Sequence, residues 1–470
     1  MNKKIVVIGA GISGLTSAYL LSKKGFDVKI LEKRNSVGGS IESVIENGFM
    51  FDRGPNSALE TTPVIGQLIR ELELEPELLY ASKLANKRYI LRDNKLHSLP
   101  MSPQGLIKTK LFSTKAKFRL MAEPFIGRSN DGYYQSLAEF VKRRLGQEFL
   151  DYAINPFVAG VYAGRPEDLS VKSAFPKLYA LEEKYGGLII GTVRSIRERK
   201  KRAEVAKQSA KMLSFKSGMI ALPKAIEKYF GNNVLLSSEV VSVDKNESGF
   251  SISYQQNGVT NKIDCDAVLS TIPSFVASSL FAKYDKEFKT HAEAIYYPPV
   301  LVYYLVYNRK DIKQELDGFG FLIPAKENKS FLGALWSSVI FSDRTDENKA
   351  AFTLFIGGSR NPEFVKEDRA SLLTRVRKEF ESLMGISADP VYTSDRFWEK
   401  AIPQYNLGYV EHERFFDDFE KKNPGLFISG NFRGGISVGD CIKNAELVAN
   451  KINVEFRILN DNKRTHSKIL

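Results

Sequence analysis

Between Lys4 and Glu32 the chain carries a spacing that few folds can accommodate. Lys4-Ile-Val-Val-Ile8 is a short apolar run of the kind that forms a buried strand, and Gly9-Ala-Gly11-Ile-Ser-Gly14 follows at once. Leu15 to Lys24 reads as a helix ended by Gly25, and Asp27-Val-Lys-Ile-Leu31 as a second strand. Glu32 stands at its carboxyl end, about 20 residues past the glycines, where an acid accepts hydrogen bonds from a ribose. Gly9 makes the tight turn, Gly11 lets the backbone approach a pyrophosphate, and Gly14 allows helix and strand to pack closely. The helix amino end offers unpaired N–H groups and partial positive charge to an anion. Three glycines alone would describe only a turn. A strand before them, a helix after them and an acid beyond predict a dinucleotide-binding βαβ unit.

Length and composition set the limits around that unit. The chain has 470 residues, enough for two or three domains each with its own core. A hydrophobic fraction of 43% and a charged fraction of 26% describe a globular protein rather than a disordered one. Cys265 and Cys441 are the only cysteines, too few for a disulfide framework or a cysteine-rich metal site, which favours a reducing compartment. Four histidines and no H-E-x-x-H pattern argue against a catalytic metal. The apolar run at the amino terminus passes straight into the glycine loop, so it reads as a retained strand and not as a signal peptide. The longest apolar stretch elsewhere, 294–307, contains Pro298-Pro299 and falls short of the roughly 20 residues that span a bilayer. The net charge of +13 suits nucleic acid, an anionic membrane surface or an acidic substrate. No helix-turn-helix, zinc-finger or RNP-type pattern supports nucleic acid.

Past Glu32, a second paired-glycine turn appears at Gly38-Gly39-Ser40, and Gly48-Phe-Met-Phe-Asp-Arg53-Gly54-Pro55 follows. Residues 62–74 have apolar positions at helical spacing, closed by Pro76. Arg88 to Arg92 and Leu96 to Leu99, joined by Asp93-Asn94, predict a hairpin in which His97 is a packed strand residue. From Pro103 to Lys211 helical periods with basic faces dominate, including 135–150, and predict a helical insertion. Its run 194–202 reads either as a solvated helix face or as a basic amphipathic helix lying on an anionic membrane. Within the insertion, Pro156, Gly160, Gly164 and Pro166 predict a non-helical break.

After Leu213 the texture reverts, with a helix ending near Phe230 and strands at 234–236, 240–243, 250–254 and 267–272 that rejoin the nucleotide domain. Runs at 300–307, 320–323, 331–336 and 352–356, rich in Val, Tyr, Phe and Leu, predict a second sheet whose face floors a pocket. The chain then returns to the nucleotide domain through Trp398 and Pro403-Gln-Tyr405, a last strand at Leu426 to Gly430, and a helix opened by Gly434-Gly435-Ile-Ser-Val-Gly-Asp440. That helix amino end would stabilise negative charge on a reduced cofactor. The tail 461–470 predicts disorder.

The two glycine turns with Gly54-Pro55 resemble the flavoprotein family of amine oxidases, phytoene desaturases and protoporphyrinogen oxidases. Asn155-Pro-Phe-Val-Ala-Gly-Val-Tyr162-Ala-Gly-Arg-Pro-Glu-Asp-Leu-Ser170 resembles more narrowly the protoporphyrinogen oxidase family, with its coproporphyrinogen-oxidising relatives, and the likeness runs from Lys4 to about Ile452. It implies an α/β fold with three parts: a Rossmann-like FAD-binding domain, a mixed or antiparallel substrate sheet, and a helical insertion. The expected divisions are FAD-binding segments at 1–80, 212–290 and 401–456, a hairpin and helical, membrane-associating part at 81–211, a substrate sheet at 291–400, and a tail at 457–470.

The implied cofactor contacts are Gly9, Gly11, Ile12, Ser13, Gly14, Glu32, Lys33, Gly38, Gly39, Ser40, Gly54, Pro55, the backbone of Val241 against adenine, Trp398, Gly430, Ile436, Ser437 and Val438. The implied substrate contacts are Arg88, whose guanidinium would bind a propionate, and Gly320, Leu322, Leu335 and Phe355 as pocket wall. Without the resemblance, the other reading of Arg88 is a surface strand arginine, and the other four read equally as core.

The expected chemistry is transfer of a hydride from a porphyrinogen methylene bridge to FAD, with molecular oxygen as acceptor and hydrogen peroxide as product. No dedicated general base stands out. The absence of a second G-x-G-x-x-G argues against a nicotinamide-linked reductase. The leading substrate is protoporphyrinogen IX, followed by coproporphyrinogen III; a flavin or porphyrin carrier without turnover is the reading from another class. Further expected partners are an anionic membrane surface and a neighbouring haem-pathway enzyme, with no nucleic acid and no metal, in a cytoplasmic protein attached at most peripherally.

Overall fold

In the computed structural model, residues 3–129, 134–202 and 210–466 are described, side chains excepted at 199–202 and 457–466. Apolar residues on both faces of short strands require a sheet covered on each side, and the nucleotide domain supplies one. Its five parallel strands lie in the order Val234–Leu235, Asp27–Leu31, Lys4–Ile8, Ala267–Ser270, Leu426–Ile428. The 4–31, 234–270 and 426–428 segments thus build one doubly wound sheet from three separated pieces of chain. Ile12–Lys23 packs on it beside the long helix Val438–His466. A three-stranded antiparallel sheet, Ser238–Asn246, Gly249–Gln256 and Val259–Cys265, extends the domain; its third strand had no marked signal in the sequence.

The second sheet has seven strands in the order Tyr392–Trp398, Val300–Asn308, Lys349–Gly357, Gly333–Leu335, Gly320–Leu322, Tyr89–Arg92, Lys95–Ser98. All neighbours are antiparallel except Gly320–Leu322 with Tyr89–Arg92, so the sheet is mixed. Asp93 and Asn94 both take positive φ in the hairpin turn, as a type I′ turn requires. One face of the sheet buries Phe321, Ala334, Leu354 and Phe352 against Leu372, Val376 and Phe380 of the helix Arg369–Met384. The opposite face meets the nucleotide domain and the helical insertion.

Three expectations change. Asn155–Tyr162 is a helix, not a break: the π turn Leu150–Ile154 runs straight into it, and Pro156 sits at that junction, where the widened turn takes up the missing N–H. The break comes one residue later, at Ala163 with φ 50°. Trp398 ends an edge strand of the substrate sheet rather than opening the return to the nucleotide domain. The last helix is continuous to His466, where the tail predicted disorder. Of the basic run, 194–198 lies on the helix Leu188–Arg202, while the side chains of Arg199 to Arg202 lie outside the described ones. Among the described residues no helix is long and apolar enough to cross a membrane, and no group of three or more His, Cys, Asp or Glu could hold a metal ion.

Candidate active site

The glycine loop is held by its neighbours in the form that leaves its ligand side open. Gly9 takes φ +101°, its N–H donates to Leu31 O at 2.8 Å, and a Cβ on Gly14 would stand 2.0 Å from Gly9 O. At Gly11 a Cβ would meet nothing within 4 Å, the opening a diphosphate needs. The first helical turn, Ile12 to Gly14, has no side-chain cap, so its amides remain for an anion. Glu32 is buried and accepts from the amides of Ala10 (2.7 Å) and Arg34 (2.9 Å), fixing loop and carboxylate together. The second turn docks on the first: Gly38 N–H donates to Ala10 O at 2.9 Å, and a Cβ on Gly39 would lie 3.2 Å from Gly11 Cα. Gly54, beside Pro55, is pressed on Ser40, where a Cβ would come within 1.8 Å of the carbonyl oxygen.

Further along, exposed Lys33 pairs with Glu239 at 2.7 Å on the strand that carries Val241. That strand is irregular between Val240 and Ser242, so Val241 has no partner in the ladder. Gly430 takes φ +129° beside Thr271 O, and Ile436 and Ser437 lead into the helix that begins at Val438, with Ser437 Oγ donating to Asp440 at 2.6 Å. These features fit a dinucleotide laid across both helix amino ends.

Sequence reading missed Thr271, whose hydroxyl donates to Ile8 O at 3.0 Å, and Tyr405, which donates to Asn431 O and accepts from Gly435 N. It also missed Arg34, which donates to Gly39 O at 2.6 Å. Thr271 and Tyr405 act on loops distant in sequence, Arg34 on the glycine turn five residues on, and only the position of Thr271 at a strand end beside Pro273 offered a signal.

Register gathers the substrate candidates. Gly320 is opposite Leu335, Leu322 opposite Gly333, and Gly333 opposite Phe355. Directly paired residues and i, i+2 neighbours share a face, so Leu322, Leu335 and Phe355 line one side. Gly320 shares it but is buried: at φ +129° its Cβ would stand 2.1 Å from Ala334 O, so close strand approach already requires glycine there. Leu322 reaches the helix Asn155–Tyr162, its Cδ2 lying 2.6 Å from where a Cβ of Gly160 would be. That helix exposes Phe157 and Val161.

Arg88 precedes Tyr89–Arg92 with the parity of Ile90, which pairs with Leu322. Its guanidinium lies 5.3 Å from the Phe319 ring, and Phe319 shares a small cavity with Leu335, Thr353, Asn56 and Ser57. Burial lowers the Arg88 pKa although the side chain as a whole is exposed; the group sits in an open concavity, not in the core. Nearby cations are committed: Lys87 to Asp317, Arg92 to Glu148 at 2.7 Å, and Lys326 to Asp151 at 2.5 Å. Arg360, pushed down to about 10 by burial, donates to Ile323 O and Asn155 Oδ1. Among the described residues no carboxylate pairs with Arg88.

A doubly wound nucleotide sheet with two docked glycine turns, facing an apolar sheet, defines a two-domain flavin-dependent oxidoreductase. Residues 12–453 match the profile of the flavin containing amine oxidoreductases, and the chain belongs to that family, in its protoporphyrinogen oxidase branch. Its cofactor is FAD. It is 35% identical to protoporphyrinogen oxidase 2 of Arabidopsis thaliana, over 95% of this chain and 94% of the relative. Coproporphyrinogen III oxidase of Bacillus subtilis is 26% identical, over 94% of this chain and 96% of the relative. Among solved structures, putrescine oxidase superimposes with a TM-score of 0.70 at 15% identity, over 96% of this chain and 99% of that one.

Proposed function

We propose that the protein oxidises protoporphyrinogen IX to protoporphyrin IX in haem biosynthesis, with three molecules of oxygen reduced to three of hydrogen peroxide. FAD, when bound, supplies the hydride acceptor for a methylene bridge of the macrocycle. Arg88 carries the reading: a guanidinium without a carboxylate partner, at the rim of an apolar cleft, suits an apolar ligand that ends in carboxylates. Leu322, Leu335 and Phe355 supply the flat apolar wall, and Gly9, Gly11, Ile12, Ser13, Gly14, Glu32, Lys33, Gly38, Gly39, Ser40, Gly54, Pro55, Val241, Trp398, Gly430, Ile436, Ser437 and Val438 the cofactor surface. Asp52, the carboxylate that lines the cavity, is buried against Arg344, so holding the bridge carbon near the flavin, rather than a base, supplies the rate.

The neighbouring cations, paired within the protein, favour a substrate with its carboxylates at one edge over a tetracarboxylate. Coproporphyrinogen III is the second reading, favoured by the likeness to the Bacillus subtilis enzyme. Anaerobic addition of each porphyrinogen to the yellow protein is the test. Faster bleaching by protoporphyrinogen IX supports the proposal, faster bleaching by coproporphyrinogen III supports the second reading, and an unbleached flavin with either would indicate a carrier. Arg88→Ala should raise KM about tenfold or more, the scale of a lost charged hydrogen bond, at unchanged flavin content; unchanged kinetics would remove Arg88 from the site. Cytoplasmic placement with peripheral contact to an anionic membrane, next to an enzyme that makes or uses the porphyrin, completes the proposal.

A further inference from the structure

The face of the sheet that lines the cleft also grips the cofactor loop. Val302 is directly opposite Phe355, and Val300 is directly opposite Trp398. Tyr304, two residues beyond Val302, therefore shares a face with Phe355, Leu335 and Leu322, and so does Trp398. Tyr304 is fully buried and its hydroxyl donates to Asp52 O at 2.9 Å. The Trp398 indole N–H donates to Arg53 O at 2.7 Å. From a third segment of the same domain, Arg344 places Nη2 3.4 Å from the Asp52 carboxylate, with both groups almost wholly buried. Arg344 also donates to Ser214 Oγ and Phe215 O, and Asp52 accepts from Ser43 Oγ and the Met219 amide.

Segment 52–55 is thus suspended from the substrate domain at three points, and it ends on Gly54-Pro55. Gly54 in turn has no freedom to slide, because Ser40 O fills the place of a side chain, and Gly39 rests on Gly11. A continuous chain of contacts connects the cleft wall to the cofactor loops through Tyr304, Trp398 and Arg344.

We propose that Tyr304, Trp398 and Arg344 are positioning residues that fix the separation between the flavin and the cleft wall carrying Leu322, Leu335 and Phe355. The residues act on geometry and take no proton from substrate. Hydride transfer is steep in distance, and a misplacement of about 1 Å can cost on the order of a hundredfold in rate. The kinetic half of this inference rests on the porphyrinogen reading; the geometric half does not.

Tyr304→Phe removes one hydroxyl and leaves the ring in place. Expected are full FAD content, KM within about twofold, a flavin reduction rate at saturating porphyrinogen lowered about tenfold or more, and a changed visible circular dichroism of the bound flavin. A lower Tm with unchanged reduction rate per bound flavin and unchanged dichroism would overturn the proposal, leaving the contacts merely structural. Arg344→Lys, which keeps the charge but loses the forked donation to Ser214 and Phe215, gives the same decision should Tyr304→Phe not fold. If no porphyrinogen bleaches the wild-type flavin, the functional reading fails alone, and the dichroism of the two variants still decides the positioning role.

Discussion

At Gly14 and Gly11 the same change, addition of one methyl group, has different physical consequences. A Cβ on Gly14 collides with the Gly9 carbonyl at 2.0 Å, whereas one on Gly11 meets no protein atom. Gly14→Ala is therefore expected to lower Tm and lose FAD together. Gly11→Ala should fold with the Tm of the apoprotein and still bind FAD at least about tenfold more weakly, because the methyl occupies the diphosphate's place. Absorbance at the flavin band per mole of protein, measured alongside Tm of apoprotein, separates the two. Both glycines and Glu32 could be read from the sequence, since spacing within one βαβ unit dictates what each must do.

No spacing could have revealed His291 and His412, whose Nδ1 atoms lie 2.9 Å apart across 121 residues. Burial first, then the neighbouring His291, lowers the His412 pKa, with Glu411 opposing. The unfolded chain takes up a proton below about pH 6.5 that the folded one resists, so stability is retained above that pH and lost as pH falls through it. Tm should drop below pH 6.5, and His412→Gln should flatten the drop; an equal slope in wild type and variant would place the acid sensitivity elsewhere.

Among the elements, Leu137–Arg144 shows how the helical insertion is assembled. Ser136 and Glu139 form a capping box at its start, a signal visible in the sequence. Arg144 at its end, wholly buried, bonds Glu123 (3.0 Å), Glu182 (2.8 Å) and the carbonyls of Ile126 and Gly186. Glu123 also accepts from the amides of Leu188 and Ile189, where the helix Leu188–Arg202 begins. Arg144→Ala leaves the buried Glu123 without a cation, while Glu182 keeps Arg143, and should cost about 3–5 kcal/mol. Because the contacts stay within the insertion, limited proteolysis should cut there first while the flavin is retained; flavin loss preceding cleavage would show that the two parts unfold together.

The sequence located this block as helical but misread Asn155–Tyr162. Pro156 and Gly160 signal turns in isolation, and only the tertiary contact of Gly160 with Leu322 shows why a glycine stands inside a helix. Similarly, runs rich in Val, Tyr, Phe and Leu gave the central strands of the second sheet but not Tyr392–Trp398, while the parallel junction of Tyr89–Arg92 with Gly320–Leu322 depends on pairing across more than 200 residues of chain and left no local trace.

For the molecule as a whole, the insertion presents a surface unlike the rest. Ile107, Phe118, Met121 and Phe125 are 73%, 66%, 69% and 90% exposed, values that an ordinary packed surface leaves to polar side chains. Lys117 donates to Ile107 O and so joins the first two elements that carry them. Residues 101–129 hold Lys108, Lys110, Lys115, Lys117, Arg119 and Arg128 against one acid, Glu123, which is buried on Arg144. Exposed apolar side chains on a segment this rich in cations suit the interface of an anionic bilayer, where buried area and charge act together.

Burial of each phenylalanine contributes about 1.5–3 kcal/mol, so Phe118→Ser with Phe125→Ser should weaken attachment by roughly a hundredfold or more. Cosedimentation with phosphatidylserine vesicles measures it, and porphyrinogen turnover in detergent should not change, since neither side chain reaches the cleft. Salt distinguishes the contributions: charge attraction fades over a Debye length of about 8 Å at physiological ionic strength, while apolar insertion persists. Wild-type binding that survives high salt but is lost in the double variant would assign attachment to the apolar side chains. Binding equal in wild type and variant would show that this surface does not meet the membrane.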